Sequence, residues 1–511
     1  MLAKVFSGTT VGLNGVLVDV EVDIPSQGLP AFTIVGLGDK AVDEAKERVR
    51  AAIKNSGADL PPKRITVNLA PADLHKEGPA FDLPMAVGIL LASEQLPKVG
   101  TSECLFIGEL SLDGSLRHTS GVLPTALLAR EKKLKNVFLP KSNAQEAAII
   151  RGIKVYPVEN LLQLFRHLSG TEYIEAIPVT KFSSLAGVGT AEFDFSEVQG
   201  QESAKRALEI AAAGGHNILM KGIPGSGKTM LARAFPGILP ELTEGEALEV
   251  TKIYSITGNL SEGQSVVRTR PFRSPHHTIS RNGLIGGGTK PMPGEISLAH
   301  RGALFLDEFA EFPRHVLEAL RQPLEDGIVT ISRAAGSVSY PAEFALIAAV
   351  NPCPCGYYGS DVKQCKCLPG AISRYQKRIS GPILDRIDLH IDVSQVKAEK
   401  LIAAGVNAEN SKTIQKRVQN ARNVQLKRFN GLKTKNNAEM STKLAREYCK
   451  LTPDEEKLMR QAISSLGLSA RSYYKVLKVA RTIADLGQEA DIQSKHLSEA
   501  LQFRPREEHL L

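Results

Sequence analysis

NILMKGIPGSGKT, residues 217–229, is an apolar run that gives way to glycines, a lysine and a threonine. Read as structure, it is a buried strand, the loop Gly222 to Thr229 in the pattern G-x-x-x-x-G-K-T, and a helix that continues as MLARAF. A phosphate cradle needs backbone N–H groups turned inward on an anion, a lysine to reach the outer phosphates and a hydroxyl to hold Mg²⁺. Gly222, Pro224, Gly225, Ser226, Gly227, Lys228 and Thr229 supply that set in the required strand and helix context. ATP and Mg²⁺ are the ligands this pattern predicts.

Working outward, ALFLDE (303–308) is a second apolar strand ending in two carboxylates. Asp307 suits a role in holding Mg²⁺, and Glu308 suits polarising an attacking water. FALIAAV is a third such strand and ends in Asn351, where a polar side chain can orient that water. In GPILDRIDLHIDV, Arg386 stands between Asp385 and Asp388. It reads either as a salt-bridged surface arginine or, in a ring ATPase, as a group reaching a neighbour's γ-phosphate. The alternation of strands, Gly-rich loop and helices makes residues 194–395 a doubly wound α/β domain. Residues 1–170 mix short β runs with helical patterns, as in DKAVDEAKERVRAAIKNSG, and form an α/β or α+β module. Residues 171–193 have no sustained period and read as a linker. Residues 396–511 form a helical lid, with Thr452-Pro453-Asp454-Glu455 as one helix start.

At 511 residues the chain exceeds one hydrophobic core and suggests about three domains. Its 42% hydrophobic and 23% charged content is that of an ordinary globular protein, and no apolar run approaches a bilayer span. The start, MLAKVFSGTTVGLNG, has no apolar export core, so a cytoplasmic, reducing setting is expected, with no membrane partner. A net charge of +8 permits nucleic-acid binding without demonstrating it. Cationic groups cluster at Arg268, Arg270, Arg273, His276, His277, Arg281 and Lys290. The run IVTISRAAGSVSYPA reads as a hairpin with Arg333 at its tip. A basic stretch, 411–435, faces either DNA or a neighbouring subunit.

The stretches RPFRSPHHTIS, GGGTKPMPGEISLAHRGALFLDE, LRQPLEDG, ISRAAGSVSYPAEFALIAAVNPCPCG and SGPILDRIDLHIDV resemble the magnesium-chelatase-like bacterial AAA+ family, which includes a competence protein. The likeness extends over most of residues 1–505. It implies that Lys228 and Thr229 bind nucleotide and Mg²⁺, that Glu308 is the catalytic carboxylate and that Asn351 is the first sensor. It also implies Arg386 as the trans-acting finger and Arg471 as the second sensor. In related helicases, paired hairpins grip DNA backbone in the pore of a hexamer. The resemblance therefore implies a homo-hexameric motor on single-stranded and branched DNA, extending heteroduplex during recombination in natural transformation, with a recombinase as possible partner. Arg273, His276, His277, Arg281, Lys290 and Arg333 are its candidate DNA contacts. The alternative within the same family is a protein-remodelling ATPase. Residues 1–170 are similar to the Lon-type protease domain, but Ala80 and Pro124 stand near the positions of its Ser-Lys dyad, so proteolysis is not expected.

Directly after Asn351, Cys353, Cys355, Cys365 and Cys367 form two C-x-C pairs separated by nine residues. Four thiols among Pro and Gly turns favour structural Zn²⁺, with disulfides, an iron–sulfur cluster or free thiols as alternatives.

Overall fold

A computed structural model gives the fold of the chain and describes every residue except 77, 99, 183–190, 261–264, 289–290, 334–335, 361–362, 396–408 and 505–511. Two compact units emerge. The first is Met1–Gly187 together with Glu244–Val267, and the second is Val188–Thr243 together with Arg268–Leu511. The fold is mixed α/β with a helical C-terminal region.

In the first unit a seven-stranded sheet begins with the hairpin Leu2–Val11 and Asn14–Asp23, paired antiparallel from Leu2↔Asp23 to Val11↔Asn14. Alternate residues Val18, Val20 and Val22 are fully buried, as period-two strands require. The helix Lys40–Asn55 starts where the Asp39 side chain accepts from the Val42 N–H at 2.9 Å. It buries Val42, Ala45, Val49, Ala52 and Ile53 at helical spacing. Ala80 lies in a short 3₁₀ turn and Pro124 is buried in the helix Val122–Glu131. One segment departs from the linear parsing of the sequence. The helix Glu244–Thr257, expected within residues 194–395, counts with the first unit, where the Gly121 N–H donates to the Ser255 carbonyl at 3.0 Å. Val250, Leu260 and Val267 of this excursion make their own small apolar cluster.

The second unit is built on a five-stranded sheet in the order Phe272–Arg273, Ala303–Leu306, Ala345–Val350, Ile218–Lys221, Leu389–Asp392. All its pairings are parallel. Strands buried on both faces carry continuous apolar runs, and every residue of Ala303–Leu306 and Ala345–Val350 is buried. The core is continuous with the lid: Ala207, Ile218, Phe305 and Ile347 share one cluster with Val418 and Val476. The lid helix Pro453–Leu466 opens with a capping box between Thr452 and Glu455. In the helix Ala470–Leu486, Asp485, with no exposed side-chain surface, accepts from Arg428 at 2.8 Å and 2.5 Å and from Asn437 at 2.8 Å.

Candidate nucleotide site

In an open parallel sheet, ligands bind beyond the carboxyl ends of the strands, where loops from adjacent strands converge. Lys221, Leu306 and Val350 end the three central strands, and the candidate residues follow them directly. The phosphate loop is fixed first. A Cβ at Gly222 would lie 2.4 Å from the Val393 carbonyl oxygen, so only glycine fits. Gly225 and Gly227 have φ of +76° and +92°, the left-handed region that glycine reaches without strain. Gly227 then caps the helix Lys228–Ala234.

Lys228 is buried, and burial lowers its pKa from the ordinary lysine value. Its Nζ donates to the carbonyls of Gly222 at 2.7 Å and Ile223 at 2.9 Å, and to Asn351 Oδ1 at 3.3 Å. Ser226 Oγ is enclosed and has no protein partner. An anion in the loop would satisfy it and draw the ammonium outward, so the residues present fit a nucleotide phosphate. Thr229 Oγ1 donates to Asp307 Oδ2 at 2.8 Å, which brings together the two groups that would hold Mg²⁺.

Glu308 has φ of +50°, uncommon for a residue with a side chain. Its N–H donates to Asp307 Oδ1 at 2.9 Å, which ties the two carboxylate residues together at the strand end. The Glu308 carboxylate meets His277 Nδ1 at 2.9 Å, with the side chains 50% and 29% exposed. His277 was expected on a DNA-facing surface. The structure sets it against the Glu308 carboxylate, with its ring 4.1 Å from that of His276. No local pattern in RPFRSPHHTIS announces this contact, because it forms between loops following neighbouring strands.

The remaining candidates divide. Arg386 is 8% exposed and pairs with Glu325, while its Nη1 donates to the Pro382 carbonyl at 2.6 Å. Arg471 is exposed on the first turn of the helix Ala470–Leu486, and its charge is felt at Glu325. The two arginines thus share one acidic neighbour. Arg273 is engaged by both oxygens of Glu295, at 2.6 Å and 2.7 Å. His276 Nδ1 contacts Thr278 Oγ1 at 2.9 Å. Arg281 is exposed and lines an open depression with Arg314 and His315, two further basic side chains. Arg333 closes the strand Ile328–Arg333, paired antiparallel with Gly336–Pro341. Lys290 lies outside the described residues. In the basic helix Ser411–Arg428, Arg417 pairs with Glu209 and Glu409, and Arg428 with Asp485, so part of its charge is used internally.

The four cysteines converge. Their sulfurs all lie within 4.8 Å of one another. Cys353 Sγ is 3.4 Å from that of Cys355 and 3.7 Å from that of Cys365, and Cys355 is 3.6 Å from Cys365. A tetrahedron of thiolates with metal–sulfur bonds of about 2.3 Å has edges of about 3.8 Å, whereas a disulfide needs about 2.05 Å. The separations fit a shared Zn²⁺ and leave all four cysteines unbridged. The Tyr358 N–H points at Cys353 Sγ and the Cys367 N–H at Cys365 Sγ, at 3.3 Å and 3.4 Å.

Comparison with known proteins agrees with this geometry. The family described as "Magnesium chelatase, subunit ChlI" matches residues 194–401, "Subunit ChlI of Mg-chelatase" matches 20–143, and "Magnesium chelatase, subunit ChlI C-terminal" matches 408–504. The chain is 45% identical over 504 residues to the competence protein ComM of Haemophilus influenzae, covering 98% of this chain and 97% of that protein. The chain belongs to the ComM/YifB-type magnesium-chelatase-like family. To the YifB protein of Escherichia coli it is 44% identical over 503 residues, covering 98% and 97%. Similarity to the magnesium-chelatase 38 kDa subunit of Rhodobacter capsulatus is narrower: 29% identity over 179 residues, 31% of this chain and 50% of that one. Membership makes the chain an AAA+ ATPase of this family. Among the described residues, no helix is long and apolar enough to cross a membrane.

Proposed function

We propose that this chain assembles into a hexameric ring that uses ATP hydrolysis to drive branch migration of DNA, extending heteroduplex during recombination in natural transformation. The observation that carries the reading is the full-length likeness to a competence protein, supported by the meeting of Thr229, Asp307 and Glu308 at one strand end. Lys228 neutralises phosphate charge, Thr229 and Asp307 hold Mg²⁺, and Glu308 takes a proton from the attacking water while Asn351 orients it. Arg386 completes a neighbour's site after leaving Glu325, and Arg471 closes the lid over the nucleotide. Bound Mg²⁺ supplies charge neutralisation across the outer phosphates.

DNA contact falls to Arg281, with Arg314 and His315 beside it, and to the hairpin that Arg333 ends. Cations gripping phosphates carry no sequence information, as a sequence-independent motor requires. The four thiols would hold a structural Zn²⁺, and among the described residues no His or carboxylate joins the cluster to activate a water. The test is movement of a three- or four-stranded junction with ATP against a non-hydrolysable analogue. Hydrolysis indifferent to DNA, with no junction movement, would sink the reading. Stimulation by a protein partner instead would favour the remodelling ATPase to which the chelatase subunit's likeness points.

A further inference from the structure

The four-cysteine turn does more than follow the sensor strand, because it also touches the phosphate loop. Gly356 lies in the turn opened by Cys353, whose carbonyl accepts from the Gly356 N–H at 2.9 Å. Gly356 has φ of +84°, and a Cβ placed on it would be 2.5 Å from Pro224 Cγ and 2.6 Å from Pro224 Cδ. Pro224 is in the phosphate loop itself. From the other end of the same turn, Asn351 accepts from Lys228 Nζ at 3.3 Å. The Pro352 carbonyl between them is held by Gln376 Nε2 at 3.1 Å. Cys353 is fully buried. The segment 351–356 therefore bears on the phosphate loop at two places, Lys228 and Pro224, and the thiol cluster clamps its far end.

We infer that the metal-clamped cysteine turn is a prop for the phosphate loop, so that metal occupancy sets the affinity of the nucleotide site. This rests on the zinc reading given under Proposed function. Without a metal the four thiols, all within 4.8 Å of one another, share only weak S–H···S contacts, so the metal is the strong tie between the two ends of the turn. Without the clamp, the Cys353–Gly356 turn opens, Gly356 withdraws from Pro224, and the phosphate loop loses the wall that holds it in its binding shape. A less preorganised loop binds nucleotide more weakly because ordering is then charged against binding.

The test uses the full chain with two readouts, zinc per chain by atomic absorption and the Kd of a fluorescent ADP analogue by titration. Wild type is expected to carry close to one zinc per chain. The double variant Cys355→Ser, Cys367→Ser is expected to lose it and to bind the nucleotide analogue about tenfold more weakly, with helical content retained. Gly356→Ala keeps every thiol and guards against a cysteine variant that does not fold. It is expected to keep its zinc and still bind nucleotide more weakly, and Pro224→Ala in the same chain should recover part of the loss by removing the clash. A folded chain that has lost zinc, or Gly356→Ala with zinc retained, binding nucleotide as wild type does would overturn the coupling and leave the zinc reading intact. Wild type without zinc would end both.

Discussion

Glu308→Gln keeps the shape of the side chain and removes its ability to take a proton. General-base catalysis contributes about 10²–10⁴ in rate, or about 3–5 kcal/mol of barrier at 1.36 kcal/mol per decade. The loss should appear in kcat alone. Glu308 contacts His277 and the Asp307 carboxylate, whereas Lys228 and the loop N–H groups that would cradle phosphate belong to other contacts. Stability should barely change, because a pair with side chains 50% and 29% exposed contributes at most about 1 kcal/mol. The backbone bond from the Glu308 N–H to Asp307 survives the substitution. The assay is steady-state ATP hydrolysis, with fluorescent nucleotide binding and thermal melting as controls. A variant that keeps more than about one-tenth of wild-type kcat, against that expected factor, would show that Glu308 is not the base. A variant with equal losses in binding and turnover would show that it belongs to the nucleotide cradle instead.

His277→Ala removes the group against the Glu308 carboxylate. Losing a half-exposed pair of at most about 1 kcal/mol frees the carboxylate for water, so hydrolysis in the absence of DNA should rise by up to about fivefold with KM unchanged. A fall in both parameters would give His277 a binding role. Asp485→Ala leaves Arg428 and Arg481 buried without their shared carboxylate, which costs about 3–5 kcal/mol. Calorimetry should show the second unit melting about 10 °C lower, while the first unit's transition stays in place. His390 carries the pH prediction. Its Nε2 is enclosed without a partner, and burial, aided by the charge of Lys475, pushes its pKa down to about 4. An unfolded chain takes up this proton near pH 6.5 and the folded one only near 4, so stability is full above about 6.5 and falls as pH drops to about 4. The slope contributed is at most about 1.4 kcal/mol per pH unit, and His390→Leu should flatten it in urea unfolding followed across that window.

What the sequence exposes, and what it hides, follows from how far each constraint reaches along the chain. The phosphate loop is legible because its demands are local: positive φ at Gly225 and Gly227, a lysine at the helix start and an apolar strand before it. The same holds for the Thr452 capping box and for the antiparallel pairing of Ile328–Arg333 with Gly336–Pro341, whose strands are neighbours in sequence. The excursion Glu244–Val267 is hidden, since its packing against Gly121 is settled by a face that only the folded first unit presents. His277 shows what position adds to charge. The cluster from Arg268 to Arg281 groups it with the candidate DNA contacts, and parallel pairing of Phe272–Arg273 with Ala303–Leu304 also brings the loops after both strands to one edge. Glu308 leaves one of those strands and His277 the other, so the pairing itself makes their meeting geometrically natural. A cationic residue a few positions beyond the strand that flanks an acidic strand is therefore best tested first against the carboxylate, and only then against DNA.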